Sequence, residues 1–321
     1  MTFASKHFGE QVSERQIRST RALARGATPV NALRPQIRCR EIGEADIDGI
    51  ADLLARGFVG RSRDYWLQGL RRQASRKVPQ GYPRLGYMLD HGGVPVGVLL
   101  LIYSLRDADG AAAIHCNLSS WYVEPAFRNY APMLTSFAQR RKEVSYFNIS
   151  PAVWTWPIVE AQGFRAYCKG LFFSAPALSR VRGSGEIEIV PSHCKQIEGL
   201  SNDDVELLTR HTRYDCLSIV VRTPKGAFPF ILQSVRIRRG WIALPAMRLI
   251  YCRNIADYAA YAGRIGRLLL RLGKISVIVD SNEPIPGLHG VYTERGRKYF
   301  KGPHRPRLGD LTDTELVIFG P

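Results

Sequence analysis

Hydrophobic and polar positions along this chain follow two periods, one typical of strands and the other of helices. Residues 37–42 alternate and predict a first strand, whereas residues 44–56 and 61–74 carry apolar side chains at helical spacing. Residues 85–105 predict a hairpin, because a Gly-Gly pair near its middle supplies the positive dihedral angles of a tight turn. The apolar, β-branched stretch 113–123 then predicts a strand that leads into the most informative part of the chain.

That part reads strand, turn, helix, strand, helix. Glu124 and Pro125 end the first strand, a helix starts near Pro132, a strand follows at residues 144–149, and a second helix ends at Gly163. A strand that turns tightly into a helix offers backbone N–H groups and the positive helix end to an anion. This geometry suits a pyrophosphate, although many α/β proteins have such turns for packing alone.

The second half repeats this order of elements. The pattern predicts strands and helices at residues 186–190, 201–212, 217–221, 228–235, 244–252, 256–272, 275–279 and 314–319, the second and sixth being helices. We therefore predict a basic extension at residues 1–35 and two tandem domains of mixed α/β fold, at residues 36–178 and 186–321. The second domain has no phosphate-binding motif, which predicts a structural role in covering the first.

Composition limits the cellular compartment and the chemistry. No apolar run approaches the roughly 18 residues of a membrane span. The first residues lack the apolar core of a signal peptide. The six cysteines are scattered without a Cys-x-x-Cys pair, so we expect free thiols, no metal site and a reducing, cytoplasmic location.

The net charge of +17 indicates a strongly basic surface. Such a surface attracts RNA, anionic lipid or a phosphorylated cofactor. Residues 292–301 combine cations with aromatic side chains, a composition that suits RNA. The alternative is a basic protein that binds no nucleic acid and whose Tyr and Phe in this segment fold inward.

Two motifs carry a resemblance to a known family. Val123-Glu124-Pro125, followed by Arg128, Ala131 and Met133, resembles the acyl-CoA motif of the GNAT acyltransferase superfamily, Val-x-Pro and then Arg/Gln-x-x-Gly-x-Gly/Ala. Residues 157–164, which end in Gly-Phe, resemble the helix that closes that fold. The resemblance implies a GNAT-like acyl-CoA N-acyltransferase fold in two tandem domains, the second degenerate.

The resemblance also implies a set of cofactor-binding residues. They are Tyr122, Val123, Arg128, Asn129, Tyr130, Ala131, Pro132, Met133 and Asn148. The chain departs from the family pattern because Ala131 and Met133 replace both motif glycines and Pro132 lacks an amide donor. Val159 stands where the family often has a tyrosine that protonates the leaving sulfur.

The candidate catalytic residues are His115 and Glu124. His115 lies on the strand before the motif, where some members of the superfamily place a general base, and histidine accepts a proton near neutral pH. Glu124 is the second candidate base. The structural alternatives are a half-buried strand histidine and a carboxylate that only caps the following helix.

These features predict an acyltransferase that uses acetyl-CoA or a longer acyl-CoA, without a metal. The acceptor would be a small molecule or peptide whose amine or hydroxyl attacks the thioester directly. Two other functions stay open: an aminoacyl-tRNA-dependent transferase of tandem GNAT type, and a non-catalytic, degenerate GNAT-like scaffold. The sequence leaves the acceptor, the acyl chain length and the oligomeric state undetermined.

Overall fold

The computed structural model describes residues 36–108, 111–181, 185–239 and 242–320, and the basic extension predicted at residues 1–35 lies outside them. The strands in chain order are β1 (Ile37–Glu41), β2 (Gly86–His91), β3 (Val94–Ala108), β4 (Ala111–Val123), β5 (Val144–Asn148), β6 (Arg165–Cys168), β7 (Gly170–Ser174), β8 (Glu186–Ile189), β9 (Cys216–Thr223), β10 (Gly226–Arg239), β11 (Ile242–Cys252), β12 (Ser276–Ser281), β13 (Gly290–Thr293) and β14 (Lys298–Lys301). The helices are α1 (Ile47–Gly57), α2 (Arg63–Ala74), α3 (Ala131–Ala138), α4 (Trp156–Ala161), α5 (Asn202–Thr212), α6 (Ile255–Arg271) and α7 (Glu315–Ile318).

The strands form two mixed sheets of seven. The first has the order β1-β2-β3-β4-β5-β14-β6 and the second the order β13-β7-β12-β11-β10-β9-β8. In each sheet one neighbouring pair is parallel, β4 with β5 and β11 with β12, and the other described pairs are antiparallel. The predicted mixed α/β fold with a repeated, tandem plan is confirmed.

Each sheet takes a strand from the opposite side of the predicted division at residues 178–186. β14, from the second half, lies between β5 and β6 of the first sheet. β7, from the first half, lies between β12 and β13 of the second sheet. A buried ion pair joins the two sheets, because Lys298 Nζ of β14 lies 2.8 Å from Asp280 Oδ1 of β12.

β3 shows why the first sheet is buried on both faces. Side chains alternate along a strand, so Val98, Leu100 and Ile102 pack with the side of the core that contains α1 and α2. Leu99 and Leu101 point the other way, into the cluster that contains α3 and α4. β3 lies between β2 and β4 and is therefore a central strand of the first sheet.

The fold differs from the sequence pattern near its last residues. The run predicted as a strand at residues 314–319 forms the short helix α7 instead. Thr314 Oγ1 donates to the Leu311 carbonyl oxygen, and the Phe319 N–H donates to Glu315, so the backbone bonds locally. A short apolar run fits either a strand or a buried helical turn.

No helix in the described residues combines the length and apolar character needed to span a bilayer. The cytoplasmic location stays a prediction.

Candidate active site

The site begins where two parallel strands diverge. β4 pairs with β5 only from Ile114 to Asn117. Beyond that point two residues of β4, Ser120 and Trp121, oppose the single residue Leu99 of β3, and Ser120 has a positive φ of 49°. Such a bulge bends a strand and increases its twist. It therefore turns the end of β4 away from β5 and opens a gap between them.

This gap contains a cavity of about 480 Å³. Four aromatic side chains form one wall: Phe58 directly after α1, Tyr65 and Trp66 of α2, and Phe319 directly after α7. Thr135 of α3 and Gln139 directly after it line the same space, as does Asn148 at the end of β5. The family resemblance implies Asn148 as a cofactor-binding residue, and the structure places it in the lining of this cavity.

Glu315 is the carboxylate of this cavity, and sequence reasoning missed it. The backbone N–H of Glu315 donates to Asn117 Oδ1 over 2.8 Å, which fixes the start of α7 against β4. The Ser150 hydroxyl donates to Glu315 Oε1. Thr314 and Glu315 precede an apolar run, a pattern that is typical of a helix start. Nothing in the sequence, however, places that helix start beside β4.

Burial raises the pKa of Glu315, although its hydrogen bonds with the Ser119 and Ser150 hydroxyls act in the opposite direction. A carboxylate whose pKa lies above its usual range is a stronger base than an ordinary surface glutamate. Because Glu315 remains half-buried at the cavity wall, it is accessible to a bound molecule.

Two tryptophans add unpaired donors to the cavity. The indole Nε1 atoms of Trp66 and Trp121 are buried, and neither has a hydrogen-bond partner among the described residues. Both side chains line the cavity. A buried N–H without a partner is costly, so these donors suit a ligand with acceptor oxygens, such as carbonyl groups.

The predicted phosphate loop lies outside the cavity lining. Arg128 and Asn129 are exposed on a 3-10 helix (Pro125–Tyr130) that continues directly into α3. The Ala131 N–H donates to the Arg128 carbonyl oxygen, and Pro132 has no N–H. Met133 packs against the core of the first sheet, so its side chain does not occupy the exposed surface where an anion would bind.

The remaining predicted cofactor residues have other surroundings. Val123 is buried in the core, and Tyr130 is 42% exposed. The ring of Tyr122 packs closely over Gly57, where an added Cβ would come within 2.5 Å of the ring. Of the nine predicted residues, Asn148 alone belongs to the cavity lining among the described residues.

The structure does not bring His115 or Glu124 into the cavity lining. Glu124 Oε1 lies 2.7 Å from Arg56 Nη2 in an ion pair. His115 is half-buried and faces Arg106, and burial together with Arg106 and His304 lowers its pKa to about 4. Their catalytic roles stay predictions. Val159, at the position of the family's tyrosine, is buried and lines the cavity.

Comparison with known proteins extends the resemblance. No protein-family model matches the chain, and no curated protein matches it in sequence. Among solved structures, a probable N-acyltransferase from Enterococcus faecalis is similar, with 13% identity, a TM-score of 0.53, and 87% of this chain and 74% of that chain covered. A GCN5-related N-acetyltransferase from Anabaena variabilis has 10% identity and a TM-score of 0.54, with 83% and 72% covered.

Eis1 from Mycobacterium abscessus gives a similar result, with 12% identity, a TM-score of 0.50, and 83% of this chain and 73% of that chain covered. At such identities the likeness establishes the fold. The fold is that of the GNAT superfamily, as the motifs of the sequence predict.

Proposed function

We propose that this protein is an acyltransferase that moves an acyl group from acyl-CoA to an amine or hydroxyl acceptor. The observation that carries the proposal is the Glu315 carboxylate, which lies in the cavity between the diverging strands β4 and β5. The names of the similar structures, an N-acyltransferase and N-acetyltransferases, support the same reaction class. A site with one basic carboxylate and unpaired N–H donors suits proton removal beside a carbonyl group.

The residues present fit an acyl-CoA. When bound, acyl-CoA supplies a thioester whose carbonyl carbon can be attacked by a nucleophile. Asn148 would hydrogen-bond an amide of the pantetheine arm, and the exposed Arg128 would neutralise phosphate charge. The unpaired indole N–H groups of Trp66 and Trp121 would donate to carbonyl oxygens in the cavity. The aromatic wall would exclude water from the reacting atoms.

Glu315 would act as the general base. Its carboxylate would accept the proton that the acceptor nitrogen or oxygen loses as that atom bonds to the acyl carbon. The carbon–sulfur bond would break in the same reaction, and CoA would leave as a thiolate that takes its proton from water. The hydroxyls of Ser119 and Ser150 hold the carboxylate in place. Positioning of the two reactants supplies much of the remaining rate enhancement.

The proposal is tested by titrating the protein with CoA and by measuring thiol release from a panel of acyl-CoAs with amine acceptors. Glu315→Gln should lower kcat by about 10²–10⁴-fold without changing CoA affinity, since the general base is lost and the binding groups remain. Arg128→Ala should weaken CoA binding. Glu143→Gln is the control, because Glu143 is exposed and pairs with Arg141 on the surface.

Full activity in Glu315→Gln would contradict the assigned base. Absence of CoA binding would contradict the donor. If tRNA then bound, and binding fell steeply with added salt, the aminoacyl-tRNA-dependent alternative would replace the proposal.

A further inference from the structure

A second cavity, of about 830 Å³, lies apart from the Glu315 cavity and shares no lining residue with it. We call it the charged cleft. β3 and the chain after α2 supply one side of it, including Arg76, Ser104 and Arg106. α5 and the last described segment supply the other side, including Arg210 and Asp313. The sequence gives no motif for this cleft, since its residues come from distant parts of the chain.

The floor of the charged cleft is a carboxylate held by three guanidinium groups. Asp313 is 3% exposed, and its oxygens lie 2.8 Å from Arg76 Nη2, 3.1 Å from Arg106 Nη2 and 3.1 Å from Arg210 Nη2. Burial opposes the charged form, but these three arginines outweigh it and hold the pKa of Asp313 well below its usual range. Asp313 is therefore an anion at neutral pH.

The floor carries more positive than negative charge. Asp310 is the second carboxylate there, 3.3 Å from Arg307 Nη2 and 3.7 Å from Arg106 Nη2. Arg307 is exposed, so the floor has three guanidinium groups, those of Arg76, Arg106 and Arg210, against the two carboxylates, an excess of one positive charge. This excess favours a bound anion over a cation.

The other charged groups of the cleft lie at its rim. Asp203 and Glu206 of α5, Lys77 and Arg307 are exposed, so water screens them. Asp204 is neutralised by Arg253, whose Nη2 lies 2.7 Å from its Oδ2. Counted together, these rim charges cancel and the floor is basic, which places the attraction for an anion at the floor.

Two buried donors in the cleft lack acceptors. Ser104 is 6% exposed, and its Oγ has no hydrogen-bond partner among the described residues. Arg210 Nε is also buried without a partner there. Leaving such groups unpaired is unfavourable, so an acceptor bound in the cleft would stabilise them.

We propose that the charged cleft is a second ligand site, which binds the oxyanion group of a small metabolite, a phosphate or a carboxylate. Arg106, Arg210 and Ser104 hold the anion. The cleft is larger than one oxyanion, which leaves space for the rest of the ligand. The site is separate from the Glu315 cavity and does not depend on the proposed acyl transfer.

The test uses inorganic phosphate, and in a parallel arm succinate, titrated calorimetrically into the full chain at constant ionic strength, with chloride as the reference. Saturable phosphate or succinate binding is expected, and the arm with the higher affinity identifies the oxyanion class. Arg210→Gln should weaken that binding at least tenfold, and Ser104→Ala by about three- to tenfold. Arg213→Gln, on the same helix end but outside the cleft lining, should change nothing.

Two results would overturn the proposal. One is the absence of saturable binding of either anion to the wild-type protein. The other is binding that disappears in Arg128→Ala and persists in Arg210→Gln, which would place the anion at the loop proposed for the CoA phosphates. Because Arg210 also supports Asp313, Ser104→Ala decides the matter if Arg210→Gln fails to fold.

Discussion

The two halves of the molecule contain the same divergence of parallel strands but use it differently. In the first half, β4 and β5 separate after Asn117, and no described backbone segment pairs with β4 in the gap. In the second half, β11 and β12 pair only from Ala246 to Arg248 on β11. There the residues at 309–311 pair with β11, since the Cys252 N–H donates to Gly309 and the Leu311 N–H to Ile250.

The segment 309–311 must lie on the β12 side of β11. The other edge of β11 is occupied by β10, which pairs with Cys252 through Phe230. Gly309 permits the close approach, because it has a φ of 78° and an added Cβ would lie 2.7 Å from Cys252 Sγ. Leu311 is 2% exposed in the core. A strand gap therefore stays an open cavity only where the chain does not fill it.

The largest effect on stability is expected when the buried side chain in the second gap is truncated. Leu311→Ala should lower the free energy of unfolding by about 2–5 kcal/mol, because a buried leucine leaves a cavity. Leu316→Ala is the matched control, since Leu316 lines the open cavity and is only partly buried. It should cost clearly less, as measured by urea denaturation. Equal losses would mean that the two gaps are equally packed.

A smaller effect is expected from the backbone of the filling segment. Gly309→Ala should cost about 1–3 kcal/mol, because alanine is strained at positive φ and its Cβ meets the Cys252 sulfur. Gly60→Ala provides the reference, as an added Cβ there has no described atom within 4 Å. Thermal denaturation of both variants measures the difference. A neutral Gly309→Ala would show that the segment does not need this close approach.

The smallest effect concerns the carboxylate of the open gap. Because burial raises the folded-state pKa of Glu315, its stabilising contribution is present below the unfolded pKa and is lost as pH rises through the folded pKa. Glu315→Gln should therefore unfold at higher urea concentration than the wild type at pH 8, with the difference disappearing near pH 4. Such a gain in stability on loss of a catalytic group is a common trade-off, and it would accompany the role proposed for Glu315.

Glu143→Gln is the control for this pH dependence. The pKa of Glu143 is lowered by backbone and side-chain hydrogen bonds, so its contribution is present at high pH and is lost as pH falls. Its removal should not stabilise the protein at pH 8. A pH-independent difference between the wild type and Glu315→Gln would contradict the raised pKa.

The sequence predicted the fold better than the site. The alternation in β3 and the repeated order of elements follow from local patterning, which a single sequence displays. Glu315 could not be found this way, because its contact with Asn117 joins residues 198 positions apart. The alternation of apolar and polar side chains along β7 and β14 also does not indicate which of the two sheets each strand joins.

The basic and aromatic segment at residues 292–301 shows a second limit of pattern reading. Tyr299 is fully buried and Phe300 is 7% exposed, so neither ring is available to stack on a base. Lys298 is also buried, where it pairs with Asp280. The alternative in which the aromatic side chains fold inward therefore describes Tyr299 and Phe300. Contact of RNA or anionic lipid with the remaining basic surface stays a prediction.

The exchange of β7 and β14 between the sheets has a consequence for biosynthesis. During synthesis, the first half of this chain leaves the ribosome before β14 has been made, because β14 begins at Lys298. β14 is the strand that lies between β5 and β6. β5 and β6 are left with unpaired edges during that interval, and synthesis at about 5–20 residues per second makes it last many seconds. Exposed strand edges invite pairing with other chains. The nascent protein is therefore vulnerable to aggregation until β14 has emerged.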